Sequence, residues 1–455
     1  MSLTSLLSIA SSAMSTQQLA MDTAGNNIAN ASTPGYSQEQ LVLEPQVPLD
    51  TPMGQLGRGV TAAGITRVRD QFLDASYWQE NGALGSSNTS QDLLTQIQNV
   101  FGEPSSTGLA AGLDGFFSAW SDLSNNPADP SLRALVQQAG TSLAQQFHSA
   151  AGQLDQIQSN VTSQVQQTLA DINRTAQQIA QLNVQIRTTS AEGGAPSLMD
   201  QRDALVDHLS SLVNVRVIQH GDGTIGVTAG DALLVDGGQS GSLEARNLAG
   251  GGMGIGLTGN PGTISLQGGS LGALVTLSQS TLPTVRSQLD SVVAGLVTEV
   301  NKLHASGTTP GGATGIPFFD PTGTTAGTIG LSTQVQSSAN NIAAGQGGGA
   351  ADNAIALAIG QLQTNGVASF NGQTIASQYQ GMVSQLGVLV QSATQQQTAQ
   401  QAVVSQIDTQ RQSVSGVSID EEMTHVIAQQ NAYSAAAKLV SIADQMMQSV
   451  LDMVG

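Results

Sequence analysis

Apolar residues recur at alternating four- and three-residue steps at both ends of this chain. Near the N-terminus the pattern takes in Leu3, Leu7, Ala10, Met14, Met21, Ala24 and Ile28, broken at Gln17. Near the C-terminus it takes in Ile419, Met423, Val426, Tyr433, Ala437, Val440, Met447, Leu451 and Val454, broken at Gln430 and Asp444. That spacing keeps one face of a helix turned toward a partner helix. A lone helix of this length is marginal in water, because nucleation is costly and packing is what makes it persist. Each end therefore needs a partner, either the opposite end or a neighbouring molecule. The requirement points to assembly rather than to chemistry.

Composition narrows the choice of partner. A chain of 455 residues has room for about three domains. Its net charge is −19 with only 13 Lys and Arg, too few to build a basic track for nucleic acid. Aromatic residues at 3% leave little for base stacking. No apolar run approaches the roughly 18 residues needed to cross a membrane. Cysteine is absent, which removes disulfides, thiolate metal sites and cysteine nucleophiles together. The first basic residue is Arg58, so the N-terminus lacks the positive region of a cleavable signal peptide.

The pattern along the chain is helical with one change of period. Pro34 and Gly35 stop the first helix near Asn30. Residues 36–64 read as extended segments and turns, and helix resumes from about Thr66 to Val100. Asp129-Pro130 is a strong helix start, an acid at the N-cap followed by proline in the first turn. Beyond it an unbroken apolar repeat runs to about Thr188, a rod too long for a compact single core. A break at Gly193-Gly194 and a helix from Asp200 to Leu212 follow. Alternation at Val213, Val215, Val217 and at Ile225, Val227, with glycine turns between, marks a small β domain over about 213–270. Helix returns from Leu271 to about Ala305, and the glycine-rich segment 307–349 reads as a hairpin or long loop. For the glutamine-rich run 378–412 both coil and helix fit; helix is preferred because Leu386, Leu389, Val403 and Ile407 supply an apolar face.

Motifs for chemistry fail on context. Gly254-x-Gly256-x-x-Gly259 lacks the following helix and acid that dinucleotide binding needs, and reads as a flexible turn. Gly268-x-Ser270-x-Gly272, with Asp290 and His304 downstream, has the order of an α/β-hydrolase triad. The surroundings lack the alternating strands and helices that fold requires, so Ser270 reads as a helix cap. The five histidines show no ligand spacing; His148, His208 and His425 fall on helix surfaces. Glu421-Glu422 open the last helix, where carboxylates favour the positive end of its dipole and Ser418 can cap. No catalytic residue, metal or cofactor is expected.

Four stretches resemble a known family. Gly25-Asn26-Asn27-Ile28-Ala29-Asn30-Ala31-Ser32-Thr33-Pro34-Gly35-Tyr36 resembles the N-terminal signature of bacterial flagellar rod, hook and hook-associated proteins. Three others resemble hook-associated protein 1, the first hook–filament junction family. They are Trp120 to Pro127 with Leu132-Arg133, Asp200-Gln201-Arg202-Asp203 running on to Val215, and Ser415 to Met423 followed by Gln429 to Tyr433. The resemblance implies a mainly α, multidomain (α+β) chain with an inserted β domain. Residues 1–40 and 415–455 would form an inner terminal coiled-coil domain. Residues 41–212 and 271–414 would form a long helical bundle, and 213–270 a small β domain facing outward.

The same resemblance implies a structural subunit exported by the flagellar type III route and polymerised as a ring between hook and filament. Its partners would be other copies of itself, the hook protein, the filament-side junction protein and an export chaperone for the C-terminal helix, with no nucleic acid and no membrane. The expected assembly interface comprises Leu3, Leu7, Met14, Met21, Asn27, Ile28, Asn30, Pro34, Gly35 and Tyr36, with Ile419, Met423, Val426, Tyr433, Val440, Met447, Leu451 and Val454. Another axial protein (hook or distal rod), a Ser270 hydrolase and a secreted adhesin are the alternatives.

Overall fold

The computed structural model describes residues 3–51, 54–190, 194–247 and 252–454. Helix α1 (Leu3–Asn30) turns at Thr33-Pro34-Gly35-Tyr36, where Gly35 takes φ +79° and Tyr36 N–H donates to Thr33 O at 3.2 Å. A β arm follows. β1 (Glu39–Pro45) pairs antiparallel with β4 (Val60–Arg67), and β2 (Leu49–Thr51) pairs with β3 (Gly54–Leu56) at the far end. Helix was expected from Thr66, but Thr66 and Arg67 belong to β4. The helix waits for Asp70, whose carboxylate accepts from Phe72 N and Leu73 N at 2.8 and 3.3 Å and so caps it.

The helical body is α2 (Gln71–Phe101), α3 (Leu109–Asn125), α4 (Pro130–Ser190), α5 (Pro196–Leu212), α6 (Gly269–Thr276), α7 (Leu282–Ala305), the short α8 (Thr333–Ser337) and α9 (Ala354–Gly360), and α10 (Ile375–Ser415). Asp129 accepts from Ser131 N at 2.7 Å and Pro130 opens α4, as the sequence predicts. At 61 residues this rod spans about 90 Å. Of the expected Gly193-Gly194 break, Gly193 lies outside the described residues, and Gly194 sits at φ +114°. Helix α3 escaped the sequence reading. It carries Phe116, Phe117 and Trp120, all 0% exposed.

The β region is a four-stranded meander, β5 (Val215–Gln219), β6 (Ile225–Ala229), β7 (Ala232–Asp236) and β8 (Gln239–Ser240), plus a pair, β9 (Leu243–Asn247) with β10 (Met253–Leu257). Two asparagines of α4 fasten it. Asn173 exchanges hydrogen bonds with the Leu243 backbone at 2.9 and 2.7 Å, and Asn183 bonds Ile225 O, Ile225 N and Gly237 O at 2.8, 3.1 and 2.8 Å. Apolar residues of the strands, Val227, Leu234, Leu243 and Ile255 among them, join the same buried cluster as the helices.

Segment 307–349 is neither a free loop nor an outer domain. Phe318 and Phe319, both 0% exposed, insert against Phe116 and Trp120 with ring centroids 5.2 to 5.6 Å apart. His304 stacks on Trp120 and Phe318 at 5.9 and 5.6 Å. The glycines give this segment the turns to fold back, and the aromatic pair supplies the burial that holds it there.

Along α10 the covered positions are Ile375, Tyr379, Met382, Leu386, Val390, Ala393, Gln397, Gln400, Val404, Ile407 and Arg411, a nearly continuous four–three repeat. Leu389 and Val403, expected on that face, are 43% and 41% exposed. The stripe continues through polar Gln397 and Gln400, which an apolar search skips. Gln400 Nε2 donates to Glu80 O and Oε2 at 3.0 and 2.6 Å.

Helix α11 (Ile419–Val454) runs back along α1, the most extensive helix pairing in the molecule. No buried residue of either helix belongs to the body's cluster, which begins at Trp78 and ends at Ala393. The two helices form a separate coil.

Candidate assembly interface

Three of the four resembling stretches converge at the root of this coil; the fourth, Trp120 to Pro127 with Leu132-Arg133, lies at the end of α3 and in the first turn of α4. Asn27, 1% exposed, uses its whole amide. Its Nδ2 donates to Glu39 O and Glu422 Oε1 at 2.9 and 3.0 Å, and its Oδ1 accepts from Glu39 N and Tyr36 Oη at 2.9 and 2.8 Å. One side chain thus pairs with the first residue of β1 as a strand would, and ties α1 to the first turn of α11. Gln38 adds a second tie: its Nε2 donates to Glu422 Oε1 at 2.8 Å and its N–H to Ser415 O at 2.8 Å. Asn26 donates to Tyr36 Oη and Glu39 Oε2 at 3.3 and 3.1 Å, and Asn30 donates to Asn26 Oδ1 at 2.9 Å.

Below this knot lies an ion network joining the arm to the body. Ser37 N and Oγ donate to the two oxygens of Asp200 at 3.0 and 2.7 Å. Arg67 bridges Asp200 and Asp203 at 2.6 and 2.9 Å. Arg69 reaches Asp74 at 2.7 Å and Asp203 at 3.3 Å. Arg202 pairs with Asp203 at 3.1 Å and donates to Gly223 O at 2.8 Å, which extends the network to the β region. Arg411, near the end of α10, contacts Asp74 and Asp207 at 2.9 and 3.2 Å and lies over the Tyr77 ring at 4.2 Å. Trp78 Nε1 donates to Asp207 Oδ1 at 2.5 Å.

Four guanidiniums thus face four aspartates, which compensates buried charge locally. Burial pushes Asp203 up, but Arg67, Arg202 and Arg69 outweigh it and hold its carboxyl below the usual range. At Asp207 burial prevails over Arg411 and raises it. Burial and then the charges of Glu39, Asp200 and Glu422 push the Tyr36 phenol well up, so it stays a hydrogen-bond donor. Such a network adds little net energy over an apolar core, yet removing one partner strands a buried charge and costs roughly 3–5 kcal/mol. Its contacts run from the turn after α1 through the arm to α2, α5 and α10 of the body.

Sequence reasoning missed most of these partners. Glu422 opens α11 as expected, but it is 3% exposed and bound by Asn27 and Gln38 rather than left to the helix dipole. Arg67, Asp74, Asp207 and Arg411 lie in four elements and Arg69 in the turn between β4 and α2, with no local pattern to link them. The available signal was the pairing of a cation-poor composition with arginines set close to helix ends.

The expected interface residues fall into three groups. Asn27 is buried; Leu3, Leu7, Met14, Met21, Ile28, Asn30, Tyr36, Val426, Tyr433, Val440 and Met447 are half-buried; Pro34, Gly35, Ile419, Met423 and Leu451 are exposed. Val454 ends α11, and its side chain lies outside the described set. The covered stripe of α11 is Glu422, Val426, Gln429, Tyr433, Ala436, Val440, Ala443 and Met447. Half its positions lie one residue earlier than expected, about 100° around the helix. The breaks at Gln430 and Asp444 therefore vanish, since both face solvent. The covered side of α1 is small or polar (Ala10, Thr16, Thr23, Ala24, Asn27), so close approach selects alanines and Glu422 over methionine. A second apolar stripe, Leu439, Ile442, Met446, Val450 and Met453, remains 42 to 77% exposed.

The hydrolase constellation does not assemble. His304 spends both nitrogens on backbone, Nδ1 donating to Ile316 O at 2.7 Å and Nε2 accepting from Ala343 N at 3.0 Å. Asp290 accepts from Ala326 N at 2.7 Å. Ser270 Oγ is buried without a partner among protein atoms, and Gly268, not Ser270, is the N-cap of α6. In the glycine fingerprint, Gly254 and Gly256 are strand residues of β10, where a Cβ on Gly256 would strike Arg246 at 2.6 Å. His148, His208 and His425 are exposed.

Comparison with known proteins agrees with the convergence of motifs. A family model described as the flagellar hook-associated protein FlgK helical domain matches residues 94–319. One for flagella basal body rod proteins matches 7–36, and one for the C-terminal part of basal body rod FlgEFG proteins matches 408–453. Flagellar hook-associated protein 1 of Bacillus subtilis is 30% identical over an alignment of 505 residues, covering 99% of this chain and 98% of that protein. The Escherichia coli protein of the same name is 27% identical, covering 70% of this chain and 60% of its own length. The flagellar hook junction protein FlgK from Burkholderia pseudomallei matches in structure with a TM-score of 0.67 at 19% identity, over 75% of this chain and 100% of that one, which shows a shared fold.

Proposed function

The chain belongs to the flagellar hook-associated protein 1 family, and from that premise we propose that it polymerises as a ring joining hook to filament after export through the flagellar type III route. It is a structural component of the flagellum at the hook–filament junction, outside the cell. Ring formation is the finer reading. The observation that carries it is the double-sided α11, which covers one stripe with α1 and leaves Leu439, Ile442, Met446, Val450 and Met453 open at helical spacing. An exposed apolar stripe of this kind marks an interaction surface, and copies of the same coil have matching surfaces to offer. The root network holds each coil at a fixed angle to its body, as a closed ring of identical subunits requires. The inner placement of the two end helices, the outward placement of the β region and partnership with the hook protein, the filament-side junction protein and a chaperone on α11 belong to this same proposal.

The test adds purified chain to cells or isolated hooks lacking only this protein. Restored filament attachment, with immunolabel in a narrow band beyond the hook, is the expected result. A hook or distal-rod subunit would not restore attachment. Label spread along the hook or filament would overturn the reading.

A further inference from the structure

Where an arginine of this chain is buried it has a carboxylate partner, with one exception among the described residues. Arg67, Arg69, Arg202 and Arg411 share the four aspartates of the root network. Arg58, Arg187 and Arg216 have no ion pair but are exposed. Arg133 is 6% exposed, and no ion pair reaches it. Its one hydrogen bond to protein runs from Nε to Ile342 O at 3.2 Å. Both terminal NH2 groups find no acceptor among the described residues. Burial pushes its guanidinium below the usual range, with no neighbouring charge to offset it.

Arg133 lines an open cavity of about 490 Å³ at the opposite end of α4 from the root network. The other walls include Pro127, Pro130 and Pro310, with Thr308, Asn340 and the glycine turns from Gly345 to Gly349. Asp352 also lines it, but its oxygens accept from Gln346 N, Gly348 N and Ala354 N at 2.7, 2.8 and 3.1 Å. That carboxylate shapes the glycine loop and is not paired with Arg133. The first turn of α4 adds the positive end of a long helix to the same space.

We propose that this cavity binds a carboxylate, gripped by the two free NH2 groups of Arg133. The planar guanidinium fork matches a carboxylate in a bidentate pair. The fixed charge of Asp352 on the wall disfavours a dianion such as phosphate. The proline walls suit the hydrocarbon part of an organic acid. The carboxylate comes either from a free monocarboxylic acid or from an acidic side chain of a second copy. The site stands apart from the terminal coil and does not depend on ring formation.

The experiment titrates the full-length chain with acetate against chloride at fixed ionic strength. It reads the amides of Leu132, Arg133 and Gly345 to Gly349 and the Arg133 Nε–H by NMR. A saturable shift with a midpoint on the order of 1 mM is expected for a single bidentate pair. Arg133→Lys, a point charge without the fork, should weaken it about tenfold, and Arg133→Met should remove it. The Trp120 indole signal reports that both variants keep the folded body. If a second copy is the source, the same signals shift with protein concentration alone and acetate reverses them. Equal responses to acetate and chloride, or a shift that survives in Arg133→Met, would overturn the proposal.

Discussion

The terminal coil and the helical body bury opposite kinds of side chain. In the body, Phe116, Phe117, Trp120, Phe147, Phe318 and Phe319 are all 0% exposed. In the coil the buried residues are Ala10, Thr16, Thr23, Ala24, Asn27, Glu422, Ala436 and Ala443, while Ile419, Met423, Ile427, Leu439, Ile442, Met446, Val450, Leu451 and Met453 stay 42 to 77% exposed. Full burial of one large apolar side chain is worth about 1.5–3 kcal/mol. The body collects that term within one molecule, and the coil leaves most of it uncollected. A single chain therefore joins a self-sufficient unit to an unfinished one, through a polar joint that sets their angle.

The contrast breaks most directly on the open stripe. Leu439→Asp, Ile442→Asp and Met446→Asp together should abolish self-association in sedimentation, yet leave the melting of the body unchanged. If the triple variant still formed polymers, the stripe would not be the surface that assembles. From the other side, Trp120→Ala should lower body stability by about 3–5 kcal/mol, while hydrogen exchange in α1 and α11 stays as in the parent. Coil amides that opened along with the body would show one cooperative unit where two are described. The next effect is acid sensitivity confined to the body. Burial lowers His304 from 6.5 to about 4, so folding favours the neutral ring. Its stabilisation is full above pH 6.5 and is lost as pH falls from there toward 4, on the order of 3 kcal/mol. Protonation would also turn the Nε2 acceptor of Ala343 N into a donor. In His304→Gln the melting temperature of the body should fall less steeply across that window; an equal slope would acquit His304.

How much of this was legible in the sequence follows the same division. Long helices announced themselves through apolar period, and Asp129-Pro130 marked the start of α4. The β region declared itself by alternation at Val215, Val217 and Val227. Helix α3 was passed over although it obeys the same rule: Leu109, Leu113, Phe116, Phe117, Trp120 and Leu123 recur three and four apart and are buried, while Asp114, Ser118, Ser121 and Asp122 face out. Half of the α11 positions slipped by one residue because the search counted apolar residues, whereas the tight contact with α1 selects Ala436, Ala443 and the polar Glu422. The motifs at Asn26-Asn27, Tyr36 and Asp200 to Asp203 were visible as resemblance alone. Their physical reason is a set of contacts between residues up to 395 positions apart, which no local pattern encodes.

The smallest expected effect probes the joint itself. Asn27→Ala removes four hydrogen bonds at once and leaves the Glu39 N–H and C=O and one Glu422 oxygen without this partner. Gln38 still holds Glu422, and the coil lies near solvent, so water can replace part of the loss. A cost of about 2 kcal/mol follows, near the middle of the range for a stranded buried polar group. It should appear as faster hydrogen exchange in residues 26–40 and at the start of α11, with the body's transition unmoved. Were the body to melt early as well, Asn27 would be part of the fold's foundation, and the joint would not be the separable connector that the two burial patterns imply.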